Sequence, residues 1–280
     1  MLDALKEKYP SLEIIKKYPN TGQKQVYLAS VDGYGTVILK IVKNMDDRVR
    51  RELDIVKDIN IPGVPKVNEL SSIQINDEEI FYYFEEYIEG NNLEEVFKQG
   101  NLGVKQSMDL LEYLLTVVVE LEKNEIVHRD IKPANIILDK EGTFHLIDFG
   151  IARDLKLTSL TFSGVQIGPH TPGYGAPELF QYNKKAIDSR ADLFSIGVVI
   201  YQAVFGKHPF ISGKESDVSE IWYLTATVTP KQYTIPGDND AQLMGLIKTL
   251  LQKQITKRPP TARKALEWYQ VVKDTVLLEK

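Results

Sequence analysis

A chain of 280 residues with 43% apolar side chains can bury a sizeable core, as one large domain or two lobes, which excludes a disordered chain. Its formal net charge of −5 leaves no basic footprint of the kind that binds nucleic acid without sequence preference. Cysteine is absent and the four histidines show no ligand spacing, so neither a disulfide framework nor a thiolate metal site is expected.

In chain order, residues 1 to 11 carry charges and lack the apolar centre of a signal peptide, and no apolar run approaches the roughly 18 residues of a membrane span. The expectation is a soluble, cytoplasmic chain. Residues 12 to 43 alternate or run apolar around Gly22 and Asp32-Gly33-Tyr34-Gly35, which predicts strands joined by turns. Within them, Thr36 to Val42 is a β-branched strand with Lys40 among apolar neighbours, and a lysine there is costly to bury unless paired. Arg50 to Asn60 reads as an amphipathic helix bearing Glu52, with Leu53, Val56 and Ile59 on its apolar side. Residues 61 to 79 hold Pro62-Gly63, Pro65 and a polar turn at Asn76 to Glu79, followed by an aromatic strand from Ile80 to Ile88. From Val104 to Glu122, the residues Met108, Leu111, Leu115, Val118 and Leu121 recur at helical spacing and predict a buried-face helix.

The stretch from His128 to Gly150 carries the chemistry. It reads His128-Arg129-Asp130-Ile131-Lys132-Pro133-Ala134-Asn135, then two apolar runs on either side of the turn Asp139-Lys140-Glu141-Gly142, then Asp148-Phe149-Gly150. A small hairpin follows, with Asp130 and Asn135 before it and Asp148 just after it. Three oxygen-bearing side chains and one lysine in such a group suit phosphoryl transfer from a nucleotide. Carboxylate and amide oxygens hold magnesium, another carboxylate orients the attacking hydroxyl, and the lysine steadies the moving group. Beyond it, Asp148 to Glu178 is a long polar, glycine-rich stretch of the kind that forms a functional loop. Ser189 to Tyr201 turns nearly all apolar and is a buried helix, ended by Gly206-Lys207-His208-Pro209-Phe210. Further helices are expected around Leu243 to Leu251 and Ala262 to Val276.

The motifs His-Arg-Asp-x-Lys-Pro-x-Asn and Asp-Phe-Gly, with Val37-Ile38-Leu39-Lys40 upstream and Ala176-Pro177-Glu178 downstream, resemble the serine/threonine branch of the protein kinase superfamily, in its eukaryotic-like form also found in bacteria. The resemblance runs over about residues 12 to 276. It implies an α+β, bilobal protein kinase-like fold occupying residues 1 to 280 as a single kinase domain. The small β-rich N-lobe would end near residue 88, the hinge lie at about 86 to 92, and the larger helical C-lobe run from about 93 to 280.

The same resemblance assigns roles. Asp130 is the catalytic base and Lys132 steadies the γ-phosphate, while Asn135 and Asp148 are the magnesium ligands. Lys40 holds the α- and β-phosphates of ATP with Glu52 as its partner. Val26, Gly22 and Ile38 line the nucleotide site, Glu86 and Ile88 offer backbone groups to adenine, Asn92 lies near the ribose, and Ile137 completes the site. Arg129 matches an arginine that receives a phosphate on the activation loop, where Thr158, Ser159, Thr161 and Ser163 are candidates for autophosphorylation. Thr171 would contact Asp130 and Lys132, Asp192 would hydrogen-bond the backbone of the catalytic loop, and Arg258 would pair with Glu178.

The chain departs from the family pattern in places. Glycine positions of the phosphate loop fall on Pro19, Thr21 and Lys24, Ile38 stands where alanine usually roofs adenine, Glu85 occupies the gatekeeper position, and Pro169-His170 is inserted before Thr171. A weaker phosphate cover and a tighter adenine slot are therefore expected. The sequence favours a serine/threonine protein kinase that transfers phosphate from Mg-ATP to protein substrates with a Ser or Thr acceptor. The alternatives are a pseudokinase that binds nucleotide as a scaffold, which the retained charged residues disfavour, and a small-molecule phosphotransferase, which the docking segment around Ala176-Pro177-Glu178 disfavours.

Overall fold

The computed structural model describes residues 1–19, 24–42, 57, 61–76, 78–148, 172–180 and 187–277. Two compact units divide the chain, one built on Met1–Glu89 and the other beginning at Gly90. The first is dominated by a sheet and the second by helices, which is the α+β composition expected.

In the first unit, helix α1 (Leu2–Lys8) precedes strands β1 (Glu13–Lys17), β2 (Lys24–Val31), β3 (Gly35–Val42), β4 (Val67–Ile75) and β5 (Glu78–Glu86). The strands form one antiparallel sheet in the order β1-β2-β3-β5-β4. β2 and β3 are joined by the turn at Asp32-Gly33-Tyr34-Gly35, where Gly33 and Gly35 take φ of 83° and 72°, a conformation open to glycine at little cost. Because side chains alternate along each strand, β3 and β5 divide their residues between two faces. Leu39 lies opposite Phe84 and Ile41 opposite Tyr82, and all four are buried in the core with Leu5 of α1, Leu12, Tyr27, Ala29 and Val31. Ile38, Lys40 and Val42 face the other way, opposite Glu85, Tyr83 and Phe81.

Polar ties hold α1 over its sheet. The Tyr9 hydroxyl donates to Glu69, the Tyr34 hydroxyl donates to the same carboxylate at 2.5 Å, and the Lys8 ammonium donates to the Tyr82 oxygen at 2.6 Å. Burial pushes the Glu69 carboxyl upward, but hydrogen bonds from Tyr34 and Tyr9 outweigh it and hold the group below the usual carboxylate range.

Two expectations for this unit need correction. The stretch at 61–79, read as turns, contains β4, and the aromatic strand runs from Glu78 to Glu86 instead of ending at Ile88. Its neighbour's pull explains the extension, since Ile75 pairs with Glu78 and Gln74 with Glu79 across a tight connection. The helix expected at residues 50–60 lies outside the described residues apart from Lys57, which is helical.

In the second unit, β6 (Gly90–Asn92) leads into α2 (Leu93–Gln99), and α3 (Gly103–Lys123) follows. The five residues at helical spacing along α3 are all buried. A single-turn 3₁₀ helix at Pro133–Asn135 opens β7 (Ile136–Asp139), which pairs with β8 (Phe144–Leu146) and with β6. Then come α4 (Ser189–Phe205), α5 (Val218–Thr227), α6 (Gln242–Leu250) and α7 (Ala262–Lys273).

α4 is buried almost all round, as its composition predicts, and Gly206 closes it in the left-handed conformation. A Cβ on Gly197 would stand 2.9 Å from the Cβ of Leu250, so glycine there lets α4 approach α6 closely. Glu122, near the end of α3, accepts the Ser189 hydroxyl and, at 3.1 Å, the Ala262 amide, which ties together the starts of α4 and α7. The short helices α1, α2 and α5 were not anticipated.

Candidate active site

The second unit holds the loop from His128 to Asn135, and its shape is imposed by α4. Asp192 sits in the first turn of that helix, fully buried, and its two carboxylate oxygens accept the backbone amides of His128 and Arg129 at 2.8 Å each. A negative charge at a helix N-terminus is favoured by the helix dipole. Burial nevertheless pushes the Asp192 carboxyl up to about 6, with the amides of Arg129 and His128 pulling against it. Held this way, Arg129 takes φ of 65°, an uncommon conformation for a side-chain-bearing residue that the double hydrogen bond over-determines. The His128 ring is buried, and its Nδ1 accepts the Asp130 amide at 3.3 Å. It therefore serves the loop's conformation.

Asp130 emerges from this loop 5% exposed. Lys132 places its ammonium 3.0 Å from Oδ2 of Asp130, and the Asn135 amide nitrogen donates to the same oxygen at 2.9 Å and to the Asp130 carbonyl at 2.9 Å. Both donations come from one nitrogen, so the Asn135 amide is oriented with its nitrogen toward Asp130 and its oxygen away. Pro133 opens the 3₁₀ turn that brings Asn135 round, with the Asn135 amide donating to the Lys132 carbonyl at 2.9 Å.

The hairpin expected around residues 139–142 is present and positions Asp148. Asp139 accepts the Thr143 amide at 2.7 Å and its other oxygen lies 2.7 Å from His145 Nε2, a contact that holds the Asp139 carboxyl below the usual range. The phenol of Tyr113 on α3 accepts the Leu146 amide at 2.7 Å, and burial raises that phenol's pKa so that it stays protonated. One residue on, the Ile147 amide donates to the Asn135 carbonyl at 2.9 Å, which joins the strand's exit to the turn that carries Asn135. Asp148 follows with φ of 56°.

A second group anchors residues 172–180. Arg258, 4% exposed, donates to both oxygens of Glu178 at 2.6 and 2.8 Å and to the carbonyls of Arg190, Gln252 and Lys253 at 2.8, 2.8 and 3.4 Å. Ser195 of α4 donates to the Tyr174 carbonyl at 2.9 Å, and the Tyr174 hydroxyl donates to Gln202 at 2.7 Å. Gly173, with φ of 89°, is backed by His208, whose Nδ1 accepts the amides of Phe210 and Ile211. Burial lowers the His208 pKa to about 4, so the ring is neutral.

In the first unit, Lys40 lies across from Val26 on β2 and Tyr83 on β5, and its ammonium donates to Oε2 of Glu85 at 2.6 Å. Ile38 sits opposite Glu85 in the same ladder. Glu86 ends β5, its amide donating to the Lys66 carbonyl at 2.9 Å. In the second unit Asn92 caps α2, its side-chain oxygen accepting the Glu95 amide at 2.9 Å, and Ile137 pairs with both Asn92 and His145.

The structure thus brings together Asp130, Lys132 and Asn135, with Asp148 beside their turn. Gly22, Glu52, Thr158, Ser159, Thr161, Ser163 and Thr171 lie outside the described residues. Sequence reasoning did not see the contact of Lys40 with Glu85, although Glu85 was noted as unusual; the only signal for it was a carboxylate and an ammonium on two strands of unknown register. It also missed Tyr113, which accepts the distant Leu146 amide, and His208, whose ring accepts two backbone amides nearby in the chain.

A family model of the protein kinase domain matches residues 34–269. The chain is 32% identical over 232 residues to the probable serine/threonine-protein kinase PknB of Bifidobacterium longum, covering 77% of this chain and 33% of that protein. It is 30% identical over 164 residues to the serine/threonine-protein kinase PrkC of Bacillus subtilis, covering 58% of this chain and 24% of that one. The chain therefore spans about a quarter to a third of the length of these curated relatives. A crystal structure of Rad53, residues 1–466, in complex with AMP-PNP superposes with a TM-score of 0.71 at 25% identity, covering 92% of this chain and 65% of that one. With the matched model extending over most of its length, the chain belongs to the protein kinase domain family.

Proposed function

We propose that the chain is a serine/threonine protein kinase that transfers the γ-phosphate of Mg-ATP to Ser or Thr hydroxyls of protein substrates, itself included, in the cytoplasm. One observation carries the reading: a carboxylate, Asp130, with Lys132 at 3.0 Å and Asn135 at 2.9 Å, on a loop pinned by a buried aspartate. Asp130 accepts the proton of the attacking hydroxyl. Lys132, beside it, offers positive charge to the phosphoryl oxygens.

The nucleotide is the substrate, and Lys40 holds its α- and β-phosphates. A magnesium ion fits the donors, since the Asn135 amide oxygen is turned away from Asp130 and Asp148 adds a carboxylate just beyond Ile147, whose amide bonds the Asn135 carbonyl, and both are hard oxygen ligands. When bound, the ion neutralises charge on the phosphates.

The Rad53 structure was solved with AMP-PNP, an observation about that protein that supports the nucleotide assignment here. No helix among the described residues is long and apolar enough to cross a membrane. The test is incubation of purified protein with Mg-ATP and a generic protein acceptor. Phosphate should appear on Ser and Thr, and Asp130→Asn should lower the rate at least about a hundredfold without lowering the melting temperature. Equal turnover in the variant removes Asp130 from the mechanism. No transfer by wild type, with nucleotide still bound, identifies a scaffold instead.

A further inference from the structure

Glu85 stands where a carboxylate is unusual for the family, and its surroundings account for it. β3 and β5 pair antiparallel with Ile38 opposite Glu85 and Lys40 opposite Tyr83, so Ile38, Lys40 and Glu85 project from one face of the sheet. The ammonium of Lys40 donates to Oε2 of Glu85 at 2.6 Å, and the two side chains are only 6% and 9% exposed. The Tyr83 ring lies 5.6 Å from the same ammonium, its electron-rich face adding to the attraction. Each charge is costly to bury alone, and each is balanced by the other.

We propose that Glu85 is a positioning residue for Lys40, holding its ammonium from within the sheet at the place where it meets the nucleotide. Two neighbouring strands keep their register through a ladder of backbone hydrogen bonds, so this hold stays the same whatever the carboxylate at position 52 contributes. An ammonium has three donors, so the one given to Glu85 does not exhaust it. The contact therefore persists while Lys40 works. The inference rests on the reading of Lys40 as the phosphate-holding lysine.

The test combines a melting cycle with nucleotide binding and turnover. Glu85→Gln in the wild-type background should lower the melting temperature by roughly 5–10 °C, and in a Lys40→Met background by less than about 2 °C, because the ammonium that Glu85 holds is then gone. Calorimetric affinity for Mg-ATP and kcat/KM for ATP should each fall at least about tenfold in Glu85→Gln, with Glu85→Asp recovering most of both. If Glu85→Gln alone does not fold, a folded Lys40→Met/Glu85→Gln protein supports the pairing, and an unfolded one overturns it. Equal melting losses in the two backgrounds also overturn it, as does ATP affinity within about threefold of wild type. Since the melting cycle and the calorimetry need no turnover, they separate failure of this inference from failure of the kinase assignment.

Discussion

Arg258 is the point at which this structure can be broken most informatively. Its guanidinium spends all its donating positions on five acceptors, two oxygens of Glu178 and the carbonyls of Arg190, Gln252 and Lys253, and its planar face lies 4.9 Å from the Phe194 ring. Arg258→Met keeps much of the stem but strands a carboxylate and three carbonyls, a loss of about 3–5 kcal/mol for a broken buried pair. Against a total stability of about 5–15 kcal/mol, that is a large fraction. Glu178→Gln is a different injury. The amide oxygen still accepts one N–H, and the guanidinium keeps its three carbonyls, so about 1–2 kcal/mol is lost.

With roughly 2–4 °C per kcal/mol for a chain near this size, the expected drops in melting temperature are roughly 6–20 °C for Arg258→Met and roughly 2–8 °C for Glu178→Gln. Differential scanning calorimetry at low and high salt measures both. The losses should be nearly independent of salt, in contrast to an exposed pair such as Lys264 with Glu267, whose side chains are 62% and 52% exposed and which contributes at most about 1 kcal/mol. Equal losses for the two variants, or a loss for Arg258→Met below about 1 kcal/mol, refute the view that Arg258 is the hub and Glu178 only one of its spokes.

Other outcomes follow from the same geometry. Gly173→Ala forces a side chain into φ of 89° and sets its Cβ 3.2 Å from His208 Nε2, so it should destabilise by about 1–2 kcal/mol and raise KM for a protein acceptor more than KM for ATP in steady-state assays. The folded protein holds a proton on Asp192 up to about pH 6 whereas the unfolded chain releases it near 3.8, so wild-type stability falls as pH rises through that window, by on the order of 3 kcal/mol. Asp192→Asn cannot titrate, and its melting temperature should gain on wild type between pH 4 and pH 7. At neutral pH its turnover should fall, because an amide presents one donor to one of the two loop N–H groups. If the proposed function includes phosphate capture by Arg129, peptide mass spectrometry after incubation with Mg-ATP should find phosphate within Thr158 to Ser163; phosphate found only outside residues 154–171 would count against regulation by that route.

What could be read from the sequence was what local spacing encodes. Asp130 and Asn135 are five residues apart on either side of a proline, and their hydrogen bond is closed by a single turn. The unbroken apolar run of α4 admits no exposed face, so its burial was evident. Glu178 and Arg258, 80 positions apart, were legible only through resemblance to a family. β4 escaped because its Val-Asn-Glu-Leu-Ser-Ser start, with a bulge between Val67 and Glu69, breaks the strict alternation that marks a strand. The contact of Lys40 with Glu85 was hidden for a more basic reason. It depends on which residue of β5 faces which residue of β3, and a slip of one position would send Glu85 into the core and Phe84 to the site.

The packing of α1 on its sheet bears on where the molecule can be cut. The family match begins at residue 34, yet Leu5, Leu12, Tyr27, Ala29 and Val31 supply five of the eleven buried side chains in the core of the first unit, with Met1, Leu2 and Tyr9 packed against them. A fragment trimmed to the matched boundary would keep every residue assigned to chemistry in the second unit while presenting Leu39, Ile41, Tyr82 and Phe84 to water along an unprotected strand edge. Such a surface pairs with copies of itself. The family model marks residues 34–269, and the packing of residues before 34 shows that the folding unit begins earlier.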